Sequence, residues 1–452
     1  MSPQSDTIAA IATPPGRGAV AIVRVSGPRA PAIAAQVFRG RSVLRDRTAS
    51  FGAIVGPDGA TIDEGLALLF VAPRSYTGEH VLELHVHGAP VVARETLLAT
   101  LAAGARLAEP GEFTRRAFYA GKLDLTQAEA VADLVAAEHR SAARGAAARV
   151  SGGLARDVES LEAALARILE ELSAALDFPD EVEAPPAAAL LREIERVDAA
   201  LAELTSDFER GRLVREGLSV AIVGPPNAGK SSLLNALLGN DRALVSAFAG
   251  TTRDTIEETL GLGNGAVARI VDTAGLRAAA EELESAGIAR TERAMAEAAV
   301  LLVVIDGSQR LSAQDREMLR RTRERERVVY FNKSDLGRAG FDEREEAEHG
   351  ALLGSTRDPA AVAAVRAALA ARANADAVDL ARPHLGTARQ ANAVLEARRS
   401  LAFARETLAN GAPVDLAAGD LAAARAALGE LTGRAASEAL LDAIFARFCI
   451  GK

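Results

Sequence analysis

The residues most able to do chemistry lie near mid-chain. Gly224-Pro225-Pro226-Asn227-Ala228-Gly229-Lys230-Ser231 has the spacing G-x-x-x-x-G-K-[ST]. In such a loop the glycines let backbone N–H groups curl around a β-phosphate, with Asn227, Ala228, Gly229 and Ser232 in the cradle. Lys230 reaches the β- and γ-oxygens, and Ser231 offers its hydroxyl to Mg²⁺ at the positive end of a helix. Asp272-Thr273-Ala274-Gly275 supplies a carboxylate for the Mg²⁺ shell and a backbone N–H that can sense a γ-phosphate. Asn332, Lys333 and Asp335 form the string "NKSD". An ionised carboxylate at Asp335 accepts two hydrogen bonds from guanine N1–H and its exocyclic amine, and adenine has no matching donors. GTP is therefore the expected nucleotide. Ser355-Thr356-Arg357 stands where GTPases usually carry Ser-Ala-Lys and is assigned by its distance from the following helix.

Between these lies Ser246-Ala247-Phe248-Ala249-Gly250-Thr251-Thr252, in the place of a switch segment. A threonine hydroxyl there, assigned to Thr252, completes the Mg²⁺ shell only while the γ-phosphate is present. Leu276 occupies the position at which Ras-like GTPases carry a glutamine that orients water. An apolar side chain cannot do this, so the group that orients water must lie elsewhere.

These residues need rigid supports. "SVAIV" before the loop reads as a strand and "SSLLNALLG" after it as a helix. Strand and helix patterns alternate over residues 216–377, as in a parallel α/β sheet of Ras-like P-loop type. Residues 1–119 mix the strand-like runs "VAIVRVSG", "EGLALLFVAP" and "VLELHVHG" with the helical "APVVARETLLATLAAGA", which predicts an α+β domain. Helical spacing dominates residues 120–215, through Leu161, Leu165, Ile168, Leu172 and Leu176, and then Leu191, Ile194, Val197, Leu201 and Leu204. It returns over 378–452 with Val394, Leu401 and Leu408 and then Leu421, Leu428, Leu431, Leu441, Ile444 and Phe448. The expected fold is a multidomain α+β and α/β chain: an N-terminal α+β domain, a split helical domain, and a GTPase domain inserted in it.

Composition narrows the partners. The 452 residues are 49% hydrophobic and only 4% aromatic, with no Trp, which favours Ala- and Leu-packed helices. A formal charge of −9 excludes a generic polyanion binder, so no DNA partner is expected and any RNA contact must be local. One cysteine, Cys449, excludes an intramolecular disulfide and a multi-Cys metal site. No secretory leader and no apolar run of spanning length are present, so the expected place is the cytoplasm, away from membranes.

The stretches "DTIAAIATPPGRGAVAIVRVSG", "SYTGEHVLELHVHG", "PGEFTRRAF", "KLDLTQAEAVADL", "DFPDE", "AGTTRD", "DTAGLR" and the terminal "FCIGK", with the phosphate loop, resemble the tRNA-modification GTPase family MnmE, also called TrmE. The resemblance implies activation by K⁺ and G-domain dimerisation. Asn227, Ser246, Phe248 and Thr251 would hold the K⁺, which takes the electrostatic part of an arginine finger. It also implies that Glu284 orients the attacking water through a second water; on its own, Glu284 sits in an acidic run with Glu281 and Glu282 that is ordinarily a solvated face. The N-terminal domain would mediate homodimerisation and bind a 5-formyl- or methylene-tetrahydrofolate through Arg24, Glu83, Lys122 and Lys452. The cations suit the glutamyl carboxylates and the glutamate suits the pterin edge, with individual pairings open.

The activity so implied is K⁺-dependent GTP hydrolysis coupled to carboxymethylaminomethyl-type modification at C5 of the tRNA wobble uridine. An FAD-containing partner would complete a heterotetramer and carry the redox steps, since this chain has no dinucleotide fingerprint. Cys449 either acts at the modification site or shapes it, a buried thiol closing a helix being the plainer reading; Gly451 and Lys452 match a prenylation box poorly. His85 and His87 share a strand face without an evident third metal ligand. Two other readings fit the same motifs: a ribosome-assembly or translation GTPase acting as a binding switch, and a folate-dependent transferase with a regulatory G domain.

Overall fold

In the computed structural model, the described residues are 6–137, 140–178, 180–183, 185–239, 258–263, 266–271, 292–337, 347–373, 384–411 and 413–452. The chain forms two compact units. One comprises residues 1–136, 146–205 and 382–452, and the other comprises 137–145 and 206–381.

The first unit begins with β1 (Ile8–Ile11), β2 (Val20–Ser26), α1 (Ala30–Val37), β3 (Phe38–Gly40), β4 (Ser50–Val55), β5 (Thr61–Phe70), β6 (Val81–His87), α2 (Pro90–Ala102) and β7 (Arg106–Leu107). The seven strands pair in the order β3-β4-β5-β6-β2-β1-β7. Successive side chains of a strand point to opposite faces. Ala9, Val23, Val25, Ala67, Leu69, Leu82, Leu84 and Val86 accordingly form one apolar face, buried with residues of α1 and α2. Arg24, Glu83 and His85 fall on the other face, where α3 (Glu112–Tyr119) contributes Phe113 to a small cluster with Ile8, Ala10 and Ala108.

The helical part follows as α4 (Leu125–Ala136), α5 (Arg140–Val150), α6 (Gly153–Asp177) and α7 (Ala187–Glu216). Along α6, Leu154, Val158, Leu161, Leu165, Ile168 and Leu172 are buried at three- and four-residue spacing.

The second unit carries β8 (Leu218–Val223), α8 (Lys230–Leu238), β9 (Glu258–Gly263), β10 (Ala266–Val271), β11 (Val300–Asp306), α9 (Ala313–Arg321), β12 (Arg327–Asn332), β13 (Leu352–Leu353) and α10 (Pro359–Arg372). Its strand order is β13-β12-β11-β8-β10-β9, parallel except for the β9–β10 pair. Apolar residues of α8 and α10 cover one face and Leu319 of α9 the other, so the central strands are hydrophobic on both sides. β8 lies between β10 and β11, and the strand order reverses there. In open α/β sheets ligands bind at that crevice, beyond the carboxyl ends of the strands.

Back in the first unit, α11 (Ala388–Ala409), α12 (Val414–Thr432) and α13 (Glu438–Phe445) complete the chain. Val394, Leu401 and Leu408 of α11 are buried, as are Leu421, Leu428 and Leu431 of α12, with Ala397, Ala404, Ala417 and Ala424 among them. Small residues let the two helix backbones approach closely. Glu129 of α4 ties the early helices to the late ones, accepting from Arg389 Nη2 at 2.8 Å and from Gln390 Nε2 at 2.6 Å.

Candidate functional site

The phosphate loop leaves β8 at its carboxyl end and enters α8 at Lys230. Gly229 has φ +96, and a Cβ there would sit 2.2 Å from Asn332 Nδ2, so the position needs glycine twice over. Asn227 also adopts a left-handed conformation, with φ 63. Lys230 Nζ donates to the carbonyls of Gly224 and Pro225, both at 2.8 Å, which holds the ammonium across the loop. Burial pushes the Lys230 pKa down, because the charged form loses hydration there. A bound polyanion would restore the balance.

Asn332, at the end of β12 and 1% exposed, joins the loop to the far side of the site. Its Nδ2 donates to the Ala228 carbonyl at 2.9 Å, and its Oδ1 accepts from the Thr356 N–H at 3.1 Å. Lys333 takes a left-handed φ of 66 and bonds Asp306 Oδ2 through Nζ at 2.7 Å. Burial alone would raise the Asp306 pKa, but hydrogen bonds from Lys333 and Ser308 outweigh it and hold the carboxyl below its usual range. Asp335 follows in a 3-10 turn over Ser334–Leu336 and pairs with the exposed Arg357 at 3.3 Å, while the Ser355 hydroxyl accepts from the Arg357 N–H at 3.1 Å. The structure thus brings Ala228, Gly229, Lys230, Asn332, Lys333, Asp335, Ser355, Thr356 and Arg357 to one end of one sheet, with Ser231 and Ser232 opening α8. The remaining sequence-assigned positions, Ser246–Thr252, Asp272–Gly275 and Glu284, lie outside the described residues.

Asp306 was not singled out from sequence. Its signal is a carboxylate ending the apolar run "VLLVVID", one strand over from "NKSD".

A second constellation occupies the polar face of the first sheet. Arg24 and Glu83 are register partners on β2 and β6, and Arg24 Nε meets Glu83 Oε1 at 2.9 Å. The Arg24 guanidinium carbon lies 5.7 Å from the Phe113 ring centroid and 6.0 Å from that of Tyr76. The C-terminal tail ends here: Arg24 Nη1 donates to the Gly451 carbonyl at 3.4 Å, and the Phe113 N–H donates to the Lys452 carbonyl at 3.2 Å. Gly451 has φ +97, and a Cβ would meet the Ile11 carbonyl at 2.5 Å. Lys122 is exposed; a Cβ on Gly78 would lie 3.6 Å from Lys122 Cε, which sets this lysine beside the loop that also presents Tyr76. Cys449 is exposed, so the reading of a buried thiol closing a helix is corrected: the tail runs over the sheet with Cys449 and Ile450 turned outward.

Sequence reasoning also missed what braces this face. Arg116, 5% exposed, bonds Asp6, Glu79 and Glu112, and Arg106 joins the network through Asp6 and Glu112. For Glu112 burial alone would raise the pKa; hydrogen bonds from Arg106, from the Glu109 N–H and from Arg116 bring it down. Among the described residues there is no cluster of three or more His, Cys, Asp or Glu that could hold a metal. His87 instead bonds Asp63, with Nδ1 at 2.8 Å, and His85 faces Glu83 at 3.4 Å.

Comparison with known proteins covers nearly the whole chain. Residues 7–122 match the family described as GTP-binding protein TrmE N-terminus, and residues 125–449 match the MnmE helical domain. A tRNA modification GTPase MnmE of Moorella thermoacetica is 43% identical, with 99% of each chain covered. Relatives of the same name from Chloroflexus aurantiacus and Laribacter hongkongensis are 42% and 43% identical, each with 99% of this chain and 100% and 99% of their own length covered. Among solved structures, the FeoB G domain of Methanococcus jannaschii is 20% identical over 35% of this chain and 98% of its own, with a TM-score of 0.25.

Proposed function

Because the chain belongs to the MnmE family of tRNA modification GTPases, we propose that it hydrolyses GTP in a K⁺-dependent manner and couples that hydrolysis to carboxymethylaminomethyl-type modification at C5 of the tRNA wobble uridine. The observation that carries the nucleotide half is Asn332. It bonds both the phosphate loop and the Thr356 backbone, so the phosphate and base ends of the site are set by one buried side chain. Asp335 reads guanine, and Lys230 neutralises the phosphates. The donor set suits two cations: the Ser231 hydroxyl at the start of the helix would hold Mg²⁺, and Asn227, exposed in the loop, would offer a neutral oxygen donor to K⁺. Each cation would supply charge stabilisation as the β–γ bridge breaks. Thr252 and Asp272 would complete the Mg²⁺ set, Ser246, Phe248 and Thr251 the K⁺ set, and Glu284 would orient water.

The modification half belongs to the sheet face of the first unit. Arg24, Glu83, Lys122 and Lys452 bind a 5-formyl- or methylene-tetrahydrofolate as one-carbon source, the Arg24–Glu83 pair offering a donor fork beside an acceptor. Cys449, exposed on the tail beside this face, is assigned to the modification site, a role its exposure supports. The working assembly is a cytoplasmic homodimer joined by an FAD-dependent partner. Residues 1–119 form the folate and dimerisation domain, 120–215 and 378–452 the helical domain, and 216–377 the G domain. A pure binding switch of the ribosome-assembly kind gives no role to the Arg24–Glu83–tail constellation.

The deciding experiment is GTP turnover by the full chain in K⁺ and in Na⁺ buffer, with wild type and Asn227→Ala. Strong K⁺ stimulation that Asn227→Ala loses while still binding GTP supports the reading; equal rates in both salts remove its cation.

A further inference from the structure

One corner of the first sheet carries charge opposite to that of the chain as a whole. The protein has a net charge of −9, yet residues 39–47 hold Arg39, Arg41, Arg45 and Arg47 against the single carboxylate Asp46. That carboxylate is taken from outside the segment, by Arg74 at 2.9 Å. Among the described residues, none of the four arginines is left with a carboxylate of its own.

The segment is held in place rather than trailing in solvent. Asp46 bridges to Leu69 of β5. The Arg47 N–H donates to the Leu69 carbonyl at 2.8 Å, and the Val71 N–H donates to Asp46 Oδ1 at 2.8 Å. Arg47 lies beside the Phe70 ring, 5.7 Å from its centroid, and bonds the Arg74 carbonyl, while Arg39 turns back to the Ala35 carbonyl at 2.8 Å. Arg41 and Arg45 are exposed, and Val43 between them is 87% exposed. Phe51 stands alongside. The β3–β4 ladder ends with Gly40 opposite Gly52, so Arg41, just past the end of β3, and Phe51 of β4 are the next residues along the chain on each side, and Phe51 is 63% exposed.

Arginines fixed on an ordered segment meet any polyanion. A solvent-exposed aromatic ring beside them adds a surface on which an unpaired base can stack, which an acidic protein does not require. We propose that residues 39–51 form a contact surface for the tRNA substrate, with Arg41 and Arg45 on backbone phosphates and Phe51 against an unpaired base. The inference rests on the tRNA reading above and locates the local RNA contact that a chain of this net charge needs.

The test is equilibrium binding of unmodified tRNA to the full chain across a salt series, alongside GTP turnover. Arg41→Glu combined with Arg45→Glu should weaken tRNA binding by roughly tenfold or more and make the salt dependence shallower by roughly 0.7–0.9 in log–log slope per lost contact. Phe51→Ala should weaken binding with the slope unchanged. The control reverses the same charge elsewhere, at Arg196 and Arg399, which pair with carboxylates on their own helices; it should leave tRNA affinity near wild type. GTP turnover should be unaffected in all of them. If wild type binds and modifies tRNA but the Arg41/Arg45 variant matches it in affinity and slope, or changes only the oligomeric state, this surface is wrong and the tRNA reading stands. If wild type neither binds nor modifies tRNA, both fall.

Discussion

Asn332 and Ala228, 104 residues apart in the chain, are joined by a 2.9 Å hydrogen bond from the buried Asn332 amide to the Ala228 carbonyl. The bond ties the phosphate loop directly to the end of β12, where the proposed guanine-reading residues follow. Asn332→Ala would leave the Ala228 carbonyl and the Thr356 N–H without this partner, at about 1–3 kcal/mol for buried groups. The expected outcome is GTP affinity lower by roughly tenfold or more, read by fluorescent-nucleotide titration. Unchanged affinity would show that the bond is not needed to set the site.

Asp335 is the residue proposed to read the base. Asp335→Asn replaces an acceptor pair by a mixed donor and acceptor, which suits xanthine better than guanine. Competition between GTP and xanthosine triphosphate should therefore reverse in favour of the latter. A variant that still prefers GTP as strongly as wild type would take Asp335 out of base recognition.

Asp306 links the nucleotide site to pH. Its carboxyl titrates below the usual 3.8 because bonds from Lys333 and Ser308 outweigh the effect of burial. A depressed carboxylate pKa contributes stability that is fully present above the unfolded value and is lost as pH falls through the folded one. Urea midpoints of the nucleotide-binding unit should thus be lower for Asp306→Asn than for wild type at pH 7, and the gap should begin to close only below about pH 4 and disappear as the pH falls through the lower folded value. A gap that persists at low pH would mean the loss came from packing instead.

The tail separates the two halves of the machine. Removing Cys449–Lys452 deletes the Gly451 carbonyl that Arg24 bonds and the Lys452 carbonyl that Phe113 bonds, and it removes no residue assigned to the nucleotide site. GTP affinity and K⁺-stimulated hydrolysis should stay near wild type while tRNA modification collapses. Hydrolysis falling with the tail would reveal coupling between the units tighter than proposed.

The parts of this molecule that sequence made legible are those whose chemistry is local. The loop from Gly224 to Ser231 declares itself because strand, glycine turn and helix are contiguous, and the heptad leucines of α11 report a buried stripe directly. What stayed hidden depends on pairing at a distance. Arg24 and Glu83 meet only because β2 and β6 are antiparallel in one register, a choice that a separation of 59 positions along the chain does not announce. Arg24 and Gly451 are 427 residues apart. The exposure of Cys449 could not be read from an apolar tail such as "FCIG". Short strands such as β3 and β7, of three and two residues, carry too little alternation to be seen before their neighbours are known.

The central claim is that nucleotide hydrolysis at Lys230 drives chemistry on tRNA. It is tested most directly by mass-spectrometric measurement of the C5-modified wobble nucleoside in tRNA incubated with the chain and with the flavoprotein partner and folate donor proposed for it. The arms of the experiment are GTP, a non-hydrolysable GTP analogue, and GTP with Lys230→Ala. The account predicts modified nucleoside with wild type and GTP, and little or none in the other two arms. Equal yields with the analogue or with Lys230→Ala would contradict it.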